Sequence, residues 1–85
     1  MPTIFFHRGM RFHFFANEGR PREPMHVHVE RADAEAKVWV QPQVSIASNF
    51  GYNRAEMSLI VRVVQNRRDE IEKVWNEFFR KNSEI

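Results

Sequence analysis

Two imidazoles and a carboxylate stand at alternating positions in His26-Val27-His28-Val29-Glu30. In a strand, residues at i, i+2 and i+4 project from one side, so His26, His28 and Glu30 share a face and Val27 and Val29 share the other. Imidazole titrates near neutral pH, so one ring can accept a proton while a second donates. With Lys37, Arg31 or Arg11 to meet developing negative charge, the row suits general acid–base work on a phosphodiester, with His26, His28 and Lys37 as catalytic candidates. Neutral imidazoles also suit Zn²⁺. Three ligands about 7 Å apart along one strand cannot close on one ion alone. A metal site at His26 and His28 therefore requires His13 or His7 from elsewhere, and no cofactor is expected. Against both readings stands simple decoration of a sheet face, with the ring of His28 packing on Trp39.

The strand carrying this row needs a partner. Ala36-Lys37-Val38-Trp39-Val40 has the same period of two, and Ala32-Asp33-Ala34 between the runs makes a tight hairpin connection. Two registers compete. Pairing Arg31 with Ala34 sets Glu30 opposite Glu35, and like charges facing across a ladder are destabilising. Pairing Glu30 with Lys37 replaces that clash with an ion pair and sets His28 opposite Trp39, and is the register expected. In both, His26, His28, Glu30, Lys37 and Trp39 lie on one face and the valines on the other. Trp39 on the polar side is either covered or an interaction anchor, with Arg11 and Glu30 as further binding candidates.

Upstream, residues 3–7 and 10–16 are aromatic, β-favouring runs linked by Arg8-Gly9, which reads as a hairpin. It places Phe5, Phe12 and Phe14 on one face, and Ile4, Phe6, Arg11, His13 and Phe15 on the other. Residues 17–25 form a loop broken by Gly19, Pro21 and Pro24. Pro42 ends the fourth strand. Residues 44–47 are read as a short extra strand and 48–52 as a turn. Asn53 with Glu56 three residues on forms a capping-box pattern. Apolar positions from Met57 to Phe79 then recur at helical spacing, and the polar stretch 65–68 marks a break near Asn66. The expectation is one α+β domain over 1–85. It has an antiparallel sheet of four to five strands in a strand-rich 1–47, and two helices in 53–82, near 54–65 and 67–81. Ile60, Val64, Ile71 and Trp75 should cover the valine face, with Phe78 and Phe79 as further core.

Composition narrows the function classes. The 85 residues include eight Phe and two Trp, which supply the area a small core requires. The absence of cysteine excludes disulfides, thiolate metal sites and a Cys nucleophile. No apolar stretch reads as a signal peptide or membrane span, so a cytoplasmic location is expected. The net charge of +2 is spread evenly, without the cationic cluster that a phosphate-binding footprint requires. Nucleic-acid contact is allowed but not implied. A homodimer would add burial. No serine sits in an activating context, and there is no Gly-rich phosphate loop.

Several segments in order resemble one family: the opening Met1-Pro2-Thr3-Ile4, Phe14-Phe15-Ala16-Asn17-Glu18, Pro24-Met25-His26-Val27-His28-Val29, Ala36-Lys37-Val38-Trp39-Val40, and Trp75-Asn76-Glu77-Phe78-Phe79. Together they resemble the domain of unknown function 4160 family. Met25 stands where that family usually has a second proline. The resemblance implies a small bacterial protein, often encoded beside another short protein in arrangements that look like toxin–antitoxin modules. It implies no established activity and no catalytic residues. The functional expectation is thus a protein-binding or regulatory module whose partner is encoded nearby, with a small His-dependent ribonuclease or metal-binding enzyme as the alternative.

Overall fold

The computed structural model describes residues 3–15 and 23–83, with side chains through Arg80. Five strands, β1 (Thr3–His7), β2 (Met10–His13), β3 (His26–Arg31), β4 (Ala34–Trp39) and β5 (Ser45–Phe50), form one antiparallel sheet in chain order. Two helices follow, α1 (Arg54–Asn66) and α2 (Arg68–Ser83), giving the α+β fold expected from the sequence. The β1–β2 hairpin turns on Arg8 and Gly9, with φ of 49° and 78°. Two consecutive left-handed residues match the strand twist, which is why a two-residue link works here.

The core lies between the helices and one sheet face. Phe5, Phe12, Val27, Val29, Ala36 and Val38 meet Ile60, Val64, Ile71, Trp75 and Phe79 in one buried cluster. Each fully buried large side chain contributes about 1.5–3 kcal/mol, so this face supplies most of the driving force for folding. At one end, Phe14 packs on Trp75, Phe78 and Phe79 at centroid distances of 5.2, 5.3 and 5.5 Å.

The β3–β4 register differs from expectation. The ladder pairs Arg31 with Ala34, Glu30 with Glu35, His28 with Lys37 and His26 with Trp39. The Arg11 guanidinium offsets these like charges from the side. Glu30 Oε1 lies 3.7 Å from Arg11 Nη2 and 3.8 Å from His13 Nε2, while Glu35 Oε1 lies 3.7 Å from His28 Nδ1. Both carboxylates are also half exposed, so water screens what repulsion remains.

β5 is longer than expected, because residues 48–50 continue the strand instead of turning. Asn49 and Phe50 pair with Ala36 and Glu35, and a bulge at Ala47 absorbs one extra residue. The turn contracts to Gly51, whose φ of 96° and approach to Ala34 (3.1 Å from an ideal Cβ) suit glycine. Asn49 brackets it, donating to Tyr52 O at 2.9 Å and accepting from Tyr52 N at 3.1 Å. The cap at Asn53 forms as read: Glu56 N donates to Asn53 Oδ1 and Asn53 N to Glu56 Oε1. The helix break falls at Arg67, one residue beyond Asn66. There the guanidinium lies 3.5 Å over the Phe5 ring and grips Glu70 through two hydrogen bonds.

Candidate functional site

Both helices pack on one side, so the opposite sheet face is left to the polar side chains. Cross-strand partners share a face, and the ladder lays this face out in rows. One row runs Phe6, Arg11, Glu30, Glu35, Phe50 from one sheet edge to the other. The next runs His13, His28, Lys37, Ser48, and the third holds His26, Trp39 and Ser45.

The three imidazoles named from the sequence come together. His13 stacks on His28 at 5.6 Å and His26 meets His28 edge-on at 5.2 Å. They are buried, with His26 at 0%, His13 at 2% and His28 at 8% exposure. Phe15, next on this side after β2, closes over them at 5.2 Å from His13 and 4.6 Å from His28. At the far end it is His26, not the expected His28, that meets Trp39, at 5.6 Å, because the observed register pairs these two, and the helix-borne Trp75 holds the same ring at 5.2 Å. His26 Nδ1 lies 2.9 Å from Pro24 O. A carbonyl only accepts, so Nδ1 is the donor in this contact. Among the described residues, no group of three or more His, Asp or Glu is arranged to hold a metal ion.

Most of the remaining candidates border this group: Lys37 is paired with His28 and Trp39 with His26. Lys37 donates to Glu23 at 2.8 Å and sits 4.6 Å over the Trp39 ring. That contact and the edge of His26 leave Trp39 half-buried. Arg11 and Glu30 face each other in the outer row. His7 pairs with Met10 at the far end of the hairpin, away from the imidazole group. Residues 17–22 of the expected loop lie outside the described residues.

Sequence reading missed three features. Phe6 and Phe50 are exposed at 65% and 76%, one at each end of the same row. The alternation of β1 marks Phe6, but nothing local marks Phe50 as a strand residue. Arg31, at the end of β3, donates to Glu56 in the first turn of α1, tying sheet to helix. This bond, with the Asn53 N–H beside it, holds the Glu56 carboxyl below the usual carboxylate range, and it raises Arg31 further. Finally, the Tyr52 hydroxyl donates to Val29 O at 3.0 Å, and burial pushes its phenol up against the opposing pull of Arg31.

No helix among the described residues is long and apolar enough to cross a membrane. No curated protein and no solved structure matches the chain. The family model described as Domain of unknown function (DUF4160) matches residues 9–76, most of the chain, and the protein belongs to that family.

Proposed function

We propose that this protein is a binding module of a two-protein regulatory pair, and that it engages its partner protein through the sheet face opposite the helices. The row Phe6–Arg11–Glu30–Glu35–Phe50 carries this reading: two exposed aromatics flank a charged centre. Exposed aromatics and Arg are enriched at protein interfaces. The charge is mixed, with Glu30 and Glu35 beside Arg11 and Lys37, so the face is poorly suited to a phosphate backbone. The resemblance adds that such chains often accompany a short neighbouring gene in toxin–antitoxin-like arrangements.

Co-expression with the neighbouring gene product, followed by size exclusion with light scattering, tests this. Co-elution at micromolar concentration is expected, weakened about tenfold or more when Phe6→Ala and Phe50→Ala are combined. Wild-type protein that elutes alone would sink the proposal. The convergence of His13, His26 and His28 favours a second reading, a His-dependent ribonuclease. A general acid or base must reach its substrate, and Phe15 stands over these rings, so packing accounts for them better. RNA cleavage by wild type that His28→Ala abolishes would reverse that ranking.

A further inference from the structure

β5 closes one edge of the sheet, and all six of its residues are exposed. An edge strand points alternate N–H and C=O groups outward, a template for another strand. Protein edges are commonly blunted by lysine, proline, inward charge or a bulge. Ser45–Phe50 carries only the last, a bulge at Ala47, and has no lysine, proline or charged residue.

A groove runs beside this edge. Half-exposed Ile46 contributes from the strand, and Arg54, Met57, Ser58, Val61, Arg62 and Gln65 line it from α1. Those helix positions follow the i, i+3, i+4, i+7, i+8 spacing of a single stripe. The stripe sets apolar Met57 and Val61 between Arg54 and Arg62. Arg11, Arg31, Arg67 and Arg68 all have carboxylate partners. Among the described residues Arg54 and Arg62 have none, and no acidic residue lines the groove.

We infer that the β5 edge and this groove accept an extended acidic segment of a partner protein as a sixth strand. The inference rests on the protein-binding reading but uses a different surface. Eight helical residues separate Arg54 from Arg62 by about 12 Å. A strand covers about 13 Å in four residues. The fitting pattern is therefore acidic, any, apolar, any, acidic, with main-chain pairing for affinity and alternate side chains for specificity. A second copy of this chain fits less well. β5 carries no carboxylate, so self-pairing would leave both guanidinium groups unmatched.

The test is fluorescence anisotropy of the full chain with a labelled, end-capped peptide containing Glu-Thr-Val-Thr-Glu. Micromolar binding is expected. It should fall roughly tenfold or more for Arg54→Glu combined with Arg62→Glu, since each charged contact is among the stronger hydrogen bonds. The Lys-Thr-Val-Thr-Lys peptide should bind that variant in its place. Peptide N-methylated at alternate amides along one edge should lose binding without any change to the protein. Phe6→Ala should leave peptide binding unchanged, which separates this site from the open face. Equal binding of both peptides, or indifference to N-methylation, would overturn the inference. If the neighbour co-elutes but the peptide does not bind, only this site fails. A dimer that Ile46→Lys dissociates, with no peptide bound, would assign the edge to self-pairing instead.

Discussion

Replacing Tyr52 with Phe removes a single oxygen from the joint between sheet and helices. The ring is 5% exposed and its hydroxyl donates to Val29 O at 3.0 Å, so the residue after the Gly51 turn is fastened to the central strand. Phe fills the same ring volume, so no cavity opens. A carbonyl in a central strand also accepts a ladder bond, so the full penalty of an orphaned acceptor does not apply. The loss is that of one ordinary hydrogen bond, about 0.5–1.5 kcal/mol. At this chain length, 1 kcal/mol moves Tm by about 4–8 °C. A second signature follows from pH. Burial raises the phenol above its ordinary value, so the folded state keeps a proton that the unfolded state releases. That contribution is complete below about pH 10 and is lost as pH rises through the raised folded value. Phe cannot titrate, so the gap between wild type and Tyr52→Phe should narrow above about pH 10. Tyr52 is the only tyrosine in the chain, so phenolate absorbance reports this group alone. Equal melting temperatures at neutral pH, or a folded-state phenolate appearing where free tyrosine ionises, would refute the reasoning.

Val29→Asp should unfold the protein, because an unpaired carboxylate at a fully buried core position costs several kcal/mol, comparable to the whole stability of a small domain. Circular dichroism at neutral pH would show this as lost cooperative melting. Glu56→Gln keeps an oxygen for the Asn53 N–H but removes the charge facing Arg31. Because Glu56 is depressed when folded, its contribution is present above about pH 4.5 and is lost as pH falls through the lower folded value. The variant should therefore melt lower at neutral pH and show a shallower loss of stability in acid. Added Zn²⁺ should leave the wild-type Tm unchanged at neutral pH. A rise that His28→Ala abolishes would restore the metal reading, since a ligand bound only by the folded state stabilises it.

Much of this architecture is written locally. The period of two in His26–Glu30 and Ala36–Val40 assigns both faces, because neighbouring side chains on a strand must point to opposite sides. Arg8-Gly9 and the Asn53/Glu56 pair mark a turn and a helix start, since each depends on residues within a few positions. The His26–His28–Glu30 row was legible for the same reason. Its environment was not. In the observed β3–β4 register Glu30 faces Glu35, and the cation beside Glu30, Arg11, comes from another hairpin. The length of β5 was decided by pairing to β4, which overrides the weak strand preference of Ser48 and Asn49. Phe15 from β2's side closes over His28 and Trp75 from α2 over His26, so both imidazoles of an apparently solvated row are buried while Glu30 stays half exposed. Side-chain direction along a strand is a property of its own backbone. What a side chain then meets depends on segments brought together only by folding.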